Sequence, residues 1–465
     1  MRFLPRNAVT VGALVLYGAG LLIHAPLIHA SIPPATMTFA LLLRLAALVL
    51  LAGSAWRRHS LMAWIFWAML AGAELGADAP SFAVSLRVFS DIFLRLIKTI
   101  VAPLILGTLI TGIAAHGEMR SLGRMGLKAL VYFEVLTTVA MLVGLAAINI
   151  SRAGVGVSIQ LHTAQNHPPP APLHWDDVLL HSFPENIAKS VADNQILQVA
   201  VFAILFGLAL GRLSSENRAP LLRVIESLTK TMFVFTNIVM YYAPVGVGAA
   251  MAYTVGQMGP GVLVHLGRLL LTLYAGLLAF GLVGLLPAAL LAGVPLRRFL
   301  RAVAEPATIA FATSTSEAAL PRAMEAMEAL GVPRRIVAFV IPAGYSFNLD
   351  GSTLYLALAS VFVAQAAGMS MGWKQQAFMV ATLMITSKGV AGVPRATLIV
   401  LLATAATFHL PEEPIFVILG IDALMDMART TTNVVGNCLA SVVIARWEGE
   451  FGVEAPAVET MDALP

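Results

Sequence analysis

The sequence contains very little charge and only one cysteine. Only 12% of its 465 residues are charged and 58% are hydrophobic, whereas soluble globular proteins carry about 25% charged residues. This composition excludes an ordinary soluble domain. The single cysteine, Cys438, excludes an intramolecular disulfide and any cysteine-based metal cluster.

Signatures of catalysis and of nucleic-acid binding are also missing. No HExxH, GxSxG or Walker pattern occurs, and most of the 10 histidines fall in predicted loops. We therefore expect no enzyme, no catalytic residues and no cofactor. The net charge of +4 is small, and the basic residues lie in short loops, where they signal topology rather than a nucleic-acid surface.

Long apolar segments are abundant, and they predict an all-α polytopic membrane protein. A membrane-spanning helix needs about 20 apolar residues. The first segment resembles a cleavable signal peptide, but its length favours a retained helix. Apolar segments lie near residues 8–29, 36–55, 60–77, 87–115, 125–150, 195–212, 225–256 and 261–294.

The distribution of Lys and Arg predicts the orientation. Basic clusters near Arg2, Arg57, Arg124, Arg218 and Arg297 fall in alternate loops, and the loops between them contain few basic residues. This alternation places the N-terminus in the cytoplasm of a multi-pass inner (plasma) membrane protein. The proline-containing loop 151–194 would be an external linker.

Two segments of the last third are interrupted by polar residues. Segment 296–330 is interrupted at residues 313–317 (TSTSE), and segment 375–407 at residues 386–389 (TSKG). Because neither half spans a bilayer comfortably, each segment predicts a re-entrant helical hairpin, which is typical of a transporter site. The alternative is a pair of kinked helices.

Between these hairpins, the segment 335–367 predicts a broken helix. Its apolar run is interrupted at Asn348-Leu349-Asp350-Gly351-Ser352. A broken helix frees carbonyl oxygens, and Asp350 adds a carboxylate. Hard cations such as sodium bind oxygen ligands of both kinds. The alternative is a structural Asp that caps a kink.

The last apolar segment, 413–447, carries an unusual charged cluster. An arginine at the centre of a membrane helix costs about 3 kcal/mol, so Arg429 needs a partner or a function. Spacings of three and four residues place further polar groups on its face of the helix, namely Asp422, Asp426, Thr430, Asn433 and Asn437. The stripe suits a small zwitterion or a dicarboxylate.

Together these motifs resemble the dicarboxylate/amino acid:cation symporter family, the glutamate transporter family. The resemblance runs from about Leu86 to Trp447 and includes SDIFLRLIKTIVAPLILGTLITGIA, TSTSEAALP, NLDGS, SKGVAGVP and DMARTTTNVVGN. It implies a glutamate-transporter-like fold, a homotrimer in the lipid bilayer, and protomers with a scaffold domain and an elevator-like transport domain.

The resemblance also implies a domain organisation. Residues 60–294 would be mainly scaffold, with transport-domain helices around 125–150 and 261–294. Residues 295–447 would be the core transport domain. Residues 1–59 would add apolar helices outside the resemblance, and residues 448–465 a tail.

Site residues follow from the same resemblance. Arg429 would bind the side-chain carboxylate of a small anionic substrate, and Asp426 its amino group. The other implied substrate contacts are Thr430, Asn433, Ser314, Ser316, Ser352 and Val393. The implied cation positions are Gly344, Ser346, Asn348, Asp350, Asn433, Asn437 and Ser387, with no metal beyond transported sodium.

Departures from the family pattern keep the substrate and the coupling ion open. Asn437 stands where sodium-coupled carriers usually have an aspartate, and Leu136 where they have a hydroxyl. Glu134, in an apolar stretch, is a proton-carrier candidate. These features favour the proton-coupled C4-dicarboxylate branch, whereas Asp426 favours the amino acid branch.

The leading hypothesis is therefore uptake of glutamate or aspartate with protons, sodium or both. The alternative is proton symport of succinate, fumarate or malate, and a passive anion channel is a more distant one.

Overall fold

The structure is a computed structural model that describes residues 10, 12–19, 34–114, 119–157, 180, 183–193, 195–387, 396–408 and 410–452. Within these residues all regular secondary structure is helical, which confirms the all-α prediction. The second predicted tip is described only at Thr386 and Ser387, whereas residues 388–395, including Val393, lie outside the described residues.

The described helices are numbered here in chain order, after a first helical stretch at residues 12–19. A π-helical turn, Gly281–Leu285, connects α10 to α11. The helices are α1 (Pro34–Arg58), α2 (Leu61–Asp78), α3 (Pro80–Ser85), α4 (Arg87–Ala114), α5 (Met119–Ser151), α6 (Ile187–Ala192), α7 (Ile196–Gly211), α8 (Ser215–Met240), α9 (Ala243–Met258), α10 (Val262–Phe280), α11 (Leu286–Leu291), α12 (Leu296–Thr313), α13 (Ser316–Leu330), α14 (Arg334–Phe347), α15 (Asp350–Ala366), α16 (Trp373–Thr386), α17 (Ala396–Thr407) and α18 (Glu413–Glu448).

Several of these helices have the length and composition of membrane spans. In the described part of the chain, six segments are long and apolar enough to cross a bilayer. This finding supports a multi-pass membrane protein. The six segments are Thr38–Arg57, Leu61–Asp78, Pro80–Thr111, Arg124–Ser151, Val262–Leu291 and Arg334–Ala366.

The chain divides into two compact units, and the first comprises Met1–Leu96, Asn237–Val264 and Phe416–Ala423. Its centre is the contact between α2 and α9. A methyl group at Gly72 would overlap the backbone carbonyl of Gly248, and one at Gly76 would crowd the carbonyl of Ala252. Small residues therefore allow the two helix backbones to touch, as is common between membrane helices.

The second unit comprises Ile97–Thr236, His265–Ile415 and Leu424–Pro465. Its central helix is α15, in which every residue but one is buried. Helix α5 packs closely on α15, because Gly144 faces the carbonyl of Leu354. A helix that is buried all round belongs to the core. The division into a scaffold domain and a transport domain stays a prediction.

Helix interruptions in this second unit place polar groups in its interior. Helix α12 ends at Thr313, Ser314 adopts a left-handed conformation with φ of 53°, and α13 begins at Ser316. Helices α14 and α15 are separated by Asn348 and Leu349. The two helices of each predicted hairpin, α12 with α13 and α16 with α17, contact each other. Their re-entrant placement in a bilayer stays a prediction.

Candidate functional site

The charged part of the candidate site lies on α18. Arg429 is fully buried, and its Nε donates a hydrogen bond to Oδ1 of Asp426 at 2.8 Å. The guanidinium also lies over the ring of Tyr355, with Cζ 4.2 Å from the ring centroid, a cation–π geometry. Helix periodicity explains the first contact, because residues three apart share a face. The second contact requires α15 to pack against α18.

The stripe on α18 continues with a hydroxyl. Thr430 Oγ1 lies 3.4 Å from Oδ1 of Asp426, and both residues are buried. Asp426, Arg429 and Thr430 thus present a carboxylate, a guanidinium and a hydroxyl within one turn. This arrangement suits a ligand that carries both charges, or an anion that binds the guanidinium.

Asn433 joins α18 to the start of α15. Its Oδ1 accepts hydrogen bonds from the backbone N–H of Gly351 at 2.8 Å and of Ser352 at 3.3 Å, and its Nδ2 donates to Ser352 Oγ at 3.0 Å. Leu349, at the N-cap position of α15, provides no side-chain cap. Asn433 therefore caps α15 from another helix and satisfies two of the N–H groups that a helix N-terminus leaves open.

A network of buried amides and a carboxylate lies at the break between α14 and α15. Asn348 Nδ2 donates to Asp350 Oδ2 at 3.2 Å and to Asn437 Oδ1 at 3.0 Å. All three side chains are fully buried. Two glycines leave room for them, because a methyl at Gly344 would overlap Asn437 Oδ1 and one at Gly436 would overlap Asp350 Oδ2.

This network leaves some polar atoms unused. Among the described residues, Asn348 Oδ1 and Asn437 Nδ2 find no hydrogen-bond partner. A buried polar atom without a partner costs about 1–3 kcal/mol, and a bound ion or water is one of the features that explain such atoms in native structures. A carboxylate beside amide oxygens has the chemistry that a hard cation prefers.

Three predicted serine positions lie elsewhere in the same unit. Ser314, Ser316 and Ser387 are buried, and the hydroxyls of Ser314 and Ser387 find no hydrogen-bond partner among the described residues. Ser346 lies in α14, near the break, so its backbone follows the helix.

Glu134 differs in one respect from the expectation for a proton carrier. It lies on α5 and is only partly buried, whereas the sequence argument assumes a buried carboxyl. Its backbone carbonyl accepts a hydrogen bond from Thr138 Oγ1 at 2.6 Å. Its role as a proton carrier stays a prediction.

Sequence reasoning missed Tyr355 and Gly436, and it identified Gly351 only as part of the helix break. Tyr355 lies three residues after Ser352, so helix spacing alone would have placed it on the same face. Gly351 is needed because a methyl there would overlap the backbone carbonyl of Arg429. Nothing in the sequence indicates that Gly436 faces Asp350, because the two are far apart along the chain.

Comparison with known proteins identifies the family. A sequence model described as the Sodium:dicarboxylate symporter family matches residues 61–447. The chain belongs to this family. The match covers both the site on α18 and the interrupted segment at Asn348, and it confirms that the protein is a membrane transporter of the symporter class rather than an enzyme.

Individual members of the symporter family are similar over most of their length. The chain is 42% identical over 408 residues to the Proton/glutamate-aspartate symporter of Escherichia coli (strain K12), covering 84% of this chain and 93% of that protein. It is 39% identical over 410 residues to the Proton/sodium-glutamate symport protein of Bacillus caldotenax, covering 84% and 96%. It is also 41% identical over 401 residues to the C4-dicarboxylate transport protein of Solibacter usitatus (strain Ellin6076), covering 85% and 94%.

Proposed function

We propose that this protein is a secondary active symporter that takes up glutamate or aspartate together with protons, sodium or both. It works as a homotrimer in the inner membrane, with the N-terminus in the cytoplasm and an elevator-like transport domain. The observation that carries this proposal is the buried pair of opposite charges on α18, in which Arg429 Nε lies 2.8 Å from Asp426 Oδ1.

An acidic amino acid fits this pair because it presents both charges. Its side-chain carboxylate binds the planar guanidinium of Arg429 through charge-assisted hydrogen bonds. Its ammonium group binds the carboxylate of Asp426. The ring of Tyr355 contacts the guanidinium of Arg429 with its face and so helps to position it. Thr430 and the serines of the first hairpin complete the substrate contacts, and the second hairpin, with Val393 at its tip, acts as the external gate.

The coupling ion binds close to the substrate, and α18 contributes residues to both binding positions. Asp350, Asn348, Asn437 and the carbonyl oxygens of Gly344 and Ser346 provide the cation ligands. Asn433 connects the two sites, since it caps α15 while lying on the same helix as Arg429. Binding of the substrate and binding of the ion each stabilise the same packing of α15 on α18. Each ligand therefore raises the affinity for the other, which is a coupling free energy between the two sites. Glu134 carries a proton when protons drive uptake.

A second candidate is proton-coupled uptake of C4-dicarboxylates. It is favoured by the Asn437 amide, which leaves the ion network with fewer carboxylates, and by the relatives that are named C4-dicarboxylate transport proteins. In this case Asp426 only balances the charge of Arg429.

The test is uptake by purified protein in proteoliposomes under an imposed pH gradient, a sodium gradient, or both. Labelled aspartate is competed with glutamate and with succinate. We expect glutamate to compete at least ten times more effectively than succinate. If succinate competes and glutamate does not, the amino acid assignment is wrong and the second candidate stands.

Two variants separate the roles of the charges. Arg429→Ala should lower uptake of all acidic substrates by about 100-fold, because a buried charged hydrogen-bond partner is worth about 3 kcal/mol or more. Asp426→Asn should reduce uptake of amino acids and spare succinate. Equal losses for both substrates would contradict the role of Asp426. Arg446→Ala is the matched control, since this arginine lies on the same helix with an exposed side chain.

A further inference from the structure

The helices before the family match contain a buried polar cluster of their own. The match begins at residue 61, whereas residues 12–19 and α1 precede it. Arg44 on α1 forms an ion pair with Glu74 on α2, with Nη1 2.8 Å from Oε2. Tyr17 donates its hydroxyl hydrogen to Oε1 of Glu74 at 2.7 Å. Three helical segments therefore meet at one carboxylate.

The position of Arg44 makes this cluster informative. Arg44 lies six residues inside the candidate span Thr38–Arg57, which corresponds to about 9 Å along a helix. From there an arginine side chain can reach the membrane surface by snorkelling. Arg44 is instead only 3% exposed, and Glu74 only 6%. The guanidinium thus points into the protein, although an unpaired charge inside a membrane is costly.

Other contacts define the same register between α1 and α2. The indole N–H of Trp67 donates to the backbone carbonyl of Leu48 at 2.9 Å. Tyr17, Ala47 and Leu48 form a small apolar core against which Trp67, Leu70 and Ala71 pack. A shift of α1 by one turn would break the ion pair and this hydrogen bond together, so the polar contacts select one docked position.

We propose that residues 12–19 and α1 form a docking module for α2, and that the buried Arg44–Glu74 pair specifies its position. The partner that fits this face of α2 is an apolar helix with one buried arginine. Glu74 makes α2 dependent on the module, because without Arg44 its buried carboxylate would lose its opposite charge and keep only a neutral hydrogen bond from Tyr17. The module acts on assembly of the first unit and leaves the chemistry of Asp426 and Arg429 unchanged.

The test uses the full-length chain and a double-mutant cycle. The variants are Arg44→Leu, Glu74→Leu, the double variant Arg44→Leu/Glu74→Leu and the exchange Arg44→Glu/Glu74→Arg. Removing one partner of a buried pair leaves an uncompensated charge, whereas replacing both with apolar residues is often neutral. We expect each single variant to lower the yield of monodisperse protein by about tenfold or more, and the double variant to restore most of it.

A second readout and a matched control make the outcome specific. Aspartate uptake per folded molecule should stay within about twofold of the parent in every variant, because the pair is absent from the transport machinery. Lys98→Leu is the control, since Lys98 forms an ion pair with Glu412 at the same distance, 2.8 Å, but with both side chains exposed by a third or more. It should change the yield little.

Three results would overturn the proposal. The first is a double variant whose loss of yield equals the combined losses of the two single variants. The second is single variants with the yield of the parent. The third is an equally large loss for Lys98→Leu, which would show that burial of the pair is irrelevant.

Discussion

Both units use glycine to bring helices close, and the second unit also uses it to make room for polar side chains. In the first unit, Gly72 on α2 makes room for the backbone carbonyl of Gly248 on α9. In the second unit, Gly344 and Gly436 make room for side-chain oxygens of Asn437 and Asp350. The first arrangement brings two helices into tight contact, and the second positions polar groups. Glycine serves helix packing in both units, since Gly144 faces the backbone carbonyl of Leu354 in the second, whereas glycines that make room for the candidate site belong to the second unit.

Buried polar groups show a similar contrast. Arg44 and Glu74 in the first unit form an ion pair at 2.8 Å, although Arg44 Nε finds no hydrogen-bond partner within the described part of the chain. In the second unit, Asn348 Oδ1 and Asn437 Nδ2 find no partner among the described residues. In an ion pair the two opposite charges already compensate each other, so no ligand is needed. Amide atoms without a hydrogen-bond partner, in contrast, are stabilised when a ligand binds them. The comparison separates a structural cluster from a candidate binding site.

The strongest test of this contrast is overpacking of the first unit. Gly72→Val should prevent close contact of α2 and α9, because the neighbouring atom is backbone and cannot rotate away. Overpacking costs about 1–3 kcal/mol and sometimes more, so the yield of folded protein should fall by about tenfold or more. Size-exclusion chromatography of the detergent extract measures this yield.

Gly53→Ala is the control for that variant, since a methyl group at Gly53 would meet no atom of another helix within 4 Å among the described residues. A Gly72→Val protein that folds with the parent's yield would refute tight backbone packing at this position.

An intermediate effect is expected from Gly436→Ala in the second unit. The added methyl displaces the Asp350 carboxylate from its place in the amide network, while the surrounding helices remain. Ion-driven aspartate uptake should fall by about tenfold, since a displaced charged ligand costs about 1.5–3 kcal/mol. The yield of folded protein should be nearly unchanged. Proteoliposome uptake and chromatography measure the two quantities on one preparation.

Gly267→Ala serves as its control, because a methyl group at Gly267 would meet no atom of another helix within 4 Å in the part of the chain that the structure describes. If Gly436→Ala lost folding and uptake in proportion, the glycine would serve packing, and the contrast between the units would disappear.

The smallest effect should come from Asn437→Asp. This variant tests whether the buried amide network can bind a cation. A second carboxylate near Asp350 raises the affinity for sodium, and a ligand that binds only the folded state stabilises it. The thermal midpoint should therefore rise by about 2–6 °C when sodium replaces potassium. Differential scanning fluorimetry in detergent measures this shift.

Asn149→Asp is the matched variant for Asn437→Asp. Asn149 also forms an amide pair, donating from Nδ2 to Gln376 Oε1 at 2.7 Å, but in an exposed position. The thermal midpoint of the Asn149→Asp variant should be the same in sodium and in potassium. Equal sodium responses in the two variants would mean that the buried network has no special role.

Much of the candidate site on α18 follows from local geometry. Asp426, Arg429, Thr430, Asn433 and Asn437 share one face because of helix spacing, and the structure places Asp426 in contact with Arg429. The contacts of Asn433 with Gly351 and Ser352 do not follow from spacing, because 82 and 81 residues separate the partners. Such contacts depend on how α15 packs against α18.

In the N-terminal region, the sequence does not predict the partner of a buried charge. The apolar composition of residues 34–58 is sufficient to predict a helix, but it gives no reason for Arg44. Only the packing of α1 on α2 identifies Glu74 as its partner, 30 residues along the chain. A charge inside an apolar segment therefore indicates that a partner exists without saying where it lies.

The sequence by itself determined the helical class, the membrane character and the polar stripe on α18. These properties depend on composition and on the 3.6-residue helix period, and both can be read from neighbouring residues. The tertiary structure alone decided that Tyr355 lies under Arg429, that Gly436 faces Asp350 and that Arg44 meets Glu74. Those contacts join different helices, and which side chains meet there depends on the packing of whole helices.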